Sequence, residues 1–424
     1  MPNLSNLIER TLPEEISLIL LLAADAASAH EDLCQELYLV GGPVRDILRG
    51  VAPSDLDLSV VGDAQAFADV LAMLLGGKVL AKSEFGTAKM SASGYTVDLA
   101  TARQETYERP GALPAVTPDG IEADLARRDF TVNAMAIQIG PSPRLKWGEL
   151  VDPHGGMSDL GRRRVRVLHD GSFRDDATRI LRALRYEARL EYKIAGPTQE
   201  LITRDRDYLS DITPARVRNE FTRILEEPTR ADILGRAEEL GVMAAISPAL
   251  RIPDRVRTAM AEAPGRPMEF HIALIGAALA ADEADRLINR LHPPGEWASL
   301  LRAGAQFWDI ARLLEDESLK PSEAADLLSG FPELALEAQL ALAPPTGQRR
   351  WLERWLKDLR HRRPELDGDD LLTEGVPRGP AIGRLLDELR RAKLDGVVHD
   401  RGEELALVRR RLPVLLSQRD HAGK

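Results

Sequence analysis

The sequence predicts an α+β protein, with a small mixed sheet in its N-terminal part and an all-α C-terminal half. Two observations carry this. Short apolar or alternating runs bounded by Gly, Pro, Asp or Ser fall before about residue 160. From Arg162 onward such runs disappear, and amphipathic segments with short Pro and Gly breaks replace them. Leu, Ala, Arg and Glu dominate the composition, which favours helix. A length of 424 residues predicts two to four domains, and 44% hydrophobic content is ample for their cores.

In chain order, residues 3–36 read as two helices. Thr11-Leu12-Pro13-Glu14-Glu15 announces the second with a cap, a proline and acids for the first turn. Ile16–Ala27 is apolar but short and broken by Asp25, so it packs rather than spans a membrane. The N-terminus lacks the pattern of a signal peptide, and the expected setting is soluble and cytoplasmic, with no membrane partner. The single cysteine, Cys34, is expected half-buried and excludes an intrachain disulfide or a thiolate metal cluster.

Glu36–Val40 suits a buried strand. It runs into Gly41-Gly42-Pro43-Val44-Arg45-Asp46, where two glycines allow a tight turn and close approach of a ligand. Pro43 fits the first turn of a helix that Gly50 closes. The N–H groups there can receive phosphate, with Arg45 one turn in; the alternative is a plain strand-to-helix connection. Ser54–Gly62 alternates as a strand does. Asp55 and Asp57, two apart, point to one face while Leu56 and Leu58 face the core. Paired acids repel unless a divalent cation sits between them. After a helix over Gln65–Leu75 come strands at Val79-Leu80, Lys89–Ser91 and Tyr95–Ala100, and Asp98 on the last can join the acidic pair.

Thr106–Gly120 holds three prolines and two glycines and is expected to form a long loop without regular structure. A helix is expected from Ile121 through Ala136, placing Arg128, Asp129 and Asn133 about one turn apart and facing one cavity. Strand pieces follow at Ile137–Ile139 and Leu150–Pro153. Phe173–Leu190 reads as one amphipathic helix, with Asp176 and Arg179 as i,i+3 neighbours. A carboxylate beside a guanidinium can read the edge of a base, or serve as an ordinary surface ion pair. Nine arginines face four acids between Arg162 and Arg189, although the whole chain carries −11. Trp351 and Trp355 are core by their i,i+4 spacing. The seven cations between Arg349 and Arg363 offer a second contact for a nucleic-acid backbone, or a solvated helix face.

Four stretches, in order and spacing, resemble the class II tRNA nucleotidyltransferases, the bacterial-type CCA-adding enzymes and poly(A) polymerases of the polymerase β superfamily. They are Leu39–Asp46, Asp55-Leu56-Asp57, Arg127–Ala134 and Asp175–Arg182, and the resemblance covers about residues 37–225. It implies a nucleotidyltransferase head over residues 1–160 and a neck over 161–228 that carries the base-reading helix. A helical body over 229–345 and a helical tail over 346–424 follow, the tail contacting tRNA.

The resemblance implies Asp55 and Asp57 as carboxylates for magnesium and Asp98 as the third acid. Gly42 and Arg45 would contact the triphosphate. Arg128, Asp129 and Asn133 would hold sugar and phosphate, Asp176 and Arg179 would read the base, and Arg182 would add a nucleotide contact. The family usually writes Glu-Asp-Pro where this chain has Asp175-Asp176-Ala177. The implied reaction is attack of the tRNA 3′ hydroxyl on the α-phosphate of CTP or ATP, with two magnesium ions about 3.5–4 Å apart. A-only addition and poly(A) synthesis share these motifs. CC-adding members lack a flexible loop after the third acid, so Thr106–Gly120 weighs against CC-only addition. The Asp55/Asp57 pair weighs against a catalytically dead RNA-binding relative.

Overall fold

A computed structural model describes residues 4–106, 108, 111, 114–140 and 146–422. Its main chain separates into two units, Met1–Ile246 and Ser247–Lys424.

The first unit opens with helices α1 (Leu4–Thr11) and α2 (Glu14–Ala29). Nine strands follow: β1 (Cys34–Val40), β2 (Leu56–Gly62), β3 (Lys78–Ser83), β4 (Thr87–Ala92), β5 (Tyr95–Thr101), β6 (Arg103–Thr106), β7 (Ala115–Pro118), β8 (Ala136–Gly140) and β9 (Lys146–Val151). Seven of them make one mixed sheet in the order β3-β4-β5-β2-β1-β8-β9, in which only β2 and β5 run parallel. Helices α3 (Gly42–Leu48), α4 (Ala64–Leu74) and α5 (Ile121–Ala126) lie between strands.

Strand alternation sorts the side chains. Leu37 and Leu39 of β1, Leu56, Leu58 and Val60 of β2, and Val97 and Leu99 of β5 enter one core. There they meet Ile16, Ile19 and Leu20 of α2 and Phe67 and Leu71 of α4. Each such side chain stabilises the fold by about 1.5–3 kcal/mol on burial. Tyr38 and Val40 join a smaller cluster with Ile121 and Leu125. Asp57 and Asp98 alternate with the core residues of their strands and stand opposite one another in the β2–β5 register. The sheet thus carries its acids on the face away from the main core.

Past the sheet come α6 (Gly156–Gly161), the two-residue strands β10 (Arg164–Val165) and β11 (Lys193–Ile194), α7 (Ser172–Asp175), α8 (Thr178–Arg189), α9 (Gly196–Asp205) and α10 (Pro214–Glu226). The second unit is helical. Its helices Met268–Gly276 and Gly295–Ala311 cross at two glycines: a Cβ on Gly304 would lie 2.5 Å from the carbonyl carbon of Gly276. Trp351 and Trp355 are buried with Phe307, Leu328 and Leu352, as their spacing predicts. Arg350 and Arg354 lie 5.4 and 4.6 Å from the Trp351 ring centre. Arg349, Arg360 and Arg362 pair with Glu353, Glu333 and Asp358. Among the described residues no helix is long and apolar enough to cross a membrane.

Several local expectations fail for identifiable reasons. The segment Phe173–Leu190 is two helices, because Asp176 is extended (φ −147°, ψ 100°) and its carboxylate caps Thr178. The helix from Ile121 ends at Ala126. Phe130 is extended, fully buried and bridged to Val167, and Thr131–Asn133 is a single 3₁₀ turn. Thr106–Gly120 is not all loop: β7 pairs with β6, and Pro118 is tolerated at the end of the ladder. Residues 107, 109, 110, 112 and 113 lie outside those described. Strands do not vanish after Arg162, since β10 and β11 pair, although two residues are too few to show a period. Cys34 is fully buried within β1, and Pro13 rather than Thr11 occupies the N-cap position of α2, with no side-chain cap.

Candidate active site

Gly41 turns the chain from β1 into α3 at φ +71°, a conformation natural to glycine. A Cβ there would lie 2.7 Å from Nη1 of Arg128, so the turn is shaped around this arginine. On β2, burial pushes the Asp57 carboxyl up to about 6; Arg128 pulls it down, and Asp55 and Asp98 add to the rise. Asp98 is 3.3 Å from the Lys89 ammonium. Asp55 lies one residue outside the strand, is exposed, and accepts from the Ser54 hydroxyl at 3.3 Å.

Among the described residues no three His, Cys, Asp or Glu side chains converge on one metal-sized point. The donor chemistry nonetheless fits a hard divalent cation. Asp57 is a carboxylate desolvated in the company of two further acids, and a cation relieves that company.

Facing Asp57 is a lattice of alternating charges. Asp124 is fully buried between Arg127 (2.6 Å) and Arg128 (2.9 Å). Asp129 accepts from Nε and Nη2 of Arg182 at 2.9 and 2.7 Å, and from Asn133 at 3.0 Å. Asn133 in turn accepts from Arg45 at 2.7 Å, and Arg45 pairs with Asp46. Burial would raise Asp129 and lower Arg182; their mutual attraction wins, leaving the carboxyl below and the guanidinium above their ordinary values.

Asp176 binds Thr178 and Arg216 (2.8 Å) through Oδ1. Among the described residues its Oδ2 has no recorded partner. Arg179 is buried and donates to the Ser172 hydroxyl at 2.8 Å and the Arg127 carbonyl at 2.7 Å. A guanidinium has five N–H donors, so others stay available.

A cavity of about 320 Å³ gathers Gly42, Asp57, Arg128, Asp129, Asn133, Asp176, Arg179 and Arg182. A second, of about 340 Å³, shares Asp57 and Arg128 with it and adds Asp98, Lys82 and Lys89. Of the candidate residues, Arg45 stands behind the first wall and Asp55 lines neither cavity. Glu105, Arg127 and Tyr186 also line the first cavity and were missed. Tyr186 had a signal, standing one turn after Arg182 on α8. Its ring meets Phe130 edge-on at 5.7 Å and lies 5.5 Å from the Arg45 guanidinium.

Asp124 supplies a stability test. Burial alone would raise its pKa, but Arg128 and Arg127 hold it below the ordinary value. Its contribution is therefore complete above the unfolded pKa of about 3.9 and is lost as pH falls through the lower folded value. Asp124→Asn should cost about 3 kcal/mol in urea unfolding at pH 7. The gap between wild type and variant should narrow as pH falls below 4. An equal gap at both pH values would show that charge pairing is not what Asp124 contributes.

Two family models match: "Poly A polymerase head domain" over residues 37–166, and "Probable RNA and SrmB- binding site of polymerase A" over residues 191–252. The chain is 32% identical to the CC-adding tRNA nucleotidyltransferase of Deinococcus radiodurans, over 88% of this chain and 89% of that protein. The chain belongs to the tRNA nucleotidyltransferase family. Another member, the A-adding tRNA nucleotidyltransferase of Geobacter sulfurreducens, is 30% identical over 95% of this chain. Here the chain spans about half of the relative's length, 48%. The fold agrees with the family. The Thermotoga maritima CCA-adding enzyme complexed with tRNA superposes with a TM-score of 0.74 at 27% identity, covering 96% of this chain and 98% of that one.

Proposed function

We propose that this nucleotidyltransferase family member adds C, A or both from CTP and ATP to the 3′ end of tRNA without a template, in the cytoplasm. One observation carries the reading: residues from four separated sequence stretches, Gly42, Asp57, Arg128–Asn133 and Asp176–Arg182, wall one cavity. In this reading residues 1–160 form the head, 161–228 the neck, 229–345 the body and 346–424 the tail.

The tRNA 3′ hydroxyl attacks the α-phosphate, the bond to the β-phosphate breaks, and pyrophosphate leaves. Arg128 faces the triphosphate across the Gly41–Gly42 turn and offsets its charge, while Arg45, tied to Asn133, stiffens that wall. Asp57 with Asp55 and Asp98 would hold magnesium, which supplies hydroxyl activation and charge neutralisation when bound. Asp129 keeps Arg182 and Asn133 in place. Asp176 Oδ2 accepts from the exocyclic amine of cytosine or adenine, and Arg179 donates to the neighbouring ring nitrogen.

The test is addition to tRNA transcripts ending at the discriminator base or at CC, and to an unrelated RNA, with each triphosphate separately. Addition of CTP to the first and ATP to the second supports CCA synthesis. No addition to either tRNA overturns the proposal. The A-adding relative favours a second reading, A addition alone, which requires ATP incorporation after CC and no CTP incorporation.

The proposed tail contact predicts that neutralising Arg349, Arg350 and Arg354 lowers the slope of log affinity for tRNA against log salt. The decrease should be about 0.7–0.9 for each phosphate that the tail no longer neutralises. Nucleotide affinity should stay unchanged, and an unaltered slope would remove these residues from the RNA interface.

A further inference from the structure

Five cations gather in one region of the first unit without carboxylate partners. Arg162, Arg163 and Arg164 follow α6, Arg189 ends α8, and Lys193 opens β11. All five are exposed, and among the described residues none has a recorded side-chain hydrogen bond or ion pair.

The backbone brings them together. Arg164 and Lys193 stand opposite each other in the β10–β11 pair, and the Lys193 N–H donates to the Arg163 carbonyl at 3.0 Å. Arg163 lines a cavity of about 400 Å³ with Arg49, Glu191 and Tyr192. Glu191 makes no recorded ion pair with any of them among the described residues.

Composition does not explain this bareness. The chain carries −11 overall, and nearby arginines are neutralised: Arg166 by Asp159 at 2.7 Å, Arg185 by Glu220 at 2.9 Å and Arg236 by Glu187 at 3.2 Å. Arg163 also sits at φ +52°, in the left-handed position after a helix that glycine usually takes. A charged side chain is kept where glycine would fit with less strain. The plainer account is that Arg162, Arg163 and Arg189 offset the negative ends of α6 and α8. That account leaves out Arg164 and Lys193, which belong to strands.

We propose that this surface docks the RNA phosphodiester backbone upstream of the 3′ end; the inference rests on the proposed action on tRNA. Guanidinium forks and an ammonium at this density match successive phosphates. Helix α8 links the surface to the cavity. Arg179 and Arg182 line the cavity, and Arg189 lies ten residues beyond Arg179. At 1.5 Å per residue this is about 15 Å along one helix, the length of about four stacked nucleotides. One rigid element therefore spaces the base site from the backbone site.

The experiment compares the full chain with its Arg164→Gln, Arg189→Gln, Lys193→Gln variant, sparing Arg163 so that its backbone position is untouched. Measured are tRNA affinity from 50 to 200 mM salt, CTP and ATP affinity, thermal midpoint, and nucleotide addition by the wild type. The expected result is a fall of about 2–3 in the salt slope, at 0.7–0.9 per phosphate, with nucleotide affinity and midpoint unchanged. A lower midpoint with an unchanged slope gives these cations a structural role only and overturns the proposal. A wild type that extends tRNA while the variant keeps the full slope overturns the backbone site alone. A wild type that neither binds nor extends tRNA overturns the functional reading and this site with it.

Discussion

Asp57→Ala should lower nucleotide addition by about 10³-fold or more and leave the protein folded. The expected loss exceeds the ~10²–10³ of a single transition-state hydrogen-bond donor, because under the proposed function Asp57 is the buried carboxylate that would hold the divalent cation. The fold should tolerate the change. Asp57 contributes to neither hydrophobic cluster of the sheet. Its carboxyl is pushed up to about 6 by burial and by Asp55 and Asp98, so its ionised form is disfavoured in the folded state. Removing it relieves that repulsion, and the thermal midpoint should stay level or rise. Two measurements decide: single-nucleotide addition to a tRNA transcript, and thermal unfolding of the same preparation. Near-normal addition by a folded Asp57→Ala protein would remove the acid from the chemistry. Lost addition with a collapsed midpoint would make its role structural.

The face on which Asp57 stands was legible in the sequence, because a period of two leaves no other face once Leu56 and Leu58 are in the core. The meeting of Arg128, Asp129 and Asn133 was also legible, but for the wrong reason. The sequence pattern predicts a continuous helix that aligns them. Instead the helix stops at Ala126, and a tight turn folds Asn133 back onto Asp129 at 3.0 Å. Burial of Phe130 overrode the helical pattern there, a tertiary effect that local periodicity does not encode. The break at Asp176 was hidden similarly, since the apolar stripe runs on through Ala177 and Ile180. Glu105 escaped notice because a lone acid beside a proline-rich stretch has no pattern. Its meaning comes from Arg127, twenty-two positions away and 3.1 Å distant.

Those same bonds determine how base choice should be tested. Exchanging Asp176 and Arg179 outright would put a carboxylate against the Arg127 carbonyl, which now accepts from Arg179 at 2.7 Å. It would also remove the cap on Thr178. Asp176→Asn is the cleaner change. The amide oxygen can keep the cap through the position of Oδ1, and an NH₂ replaces Oδ2, an acceptor with no recorded partner among the described residues. The exocyclic amines of cytosine and adenine would then face a donor. Sites built on such hydrogen bonds lose about 10⁴-fold in favourable cases when the match is broken. Part of that should survive through Arg179, so CTP and ATP addition should fall by about 10²–10⁴-fold. Uracil and guanine present a carbonyl that the new NH₂ can satisfy, while their ring N–H still opposes Arg179. Their addition should rise relative to CTP and ATP without reaching the wild-type rate. Single-nucleotide addition with all four triphosphates on folded Asp176→Asn protein measures the ratio. If the preference for CTP and ATP is undiminished, Asp176 caps α8 and pairs with Arg216 but does not read the base.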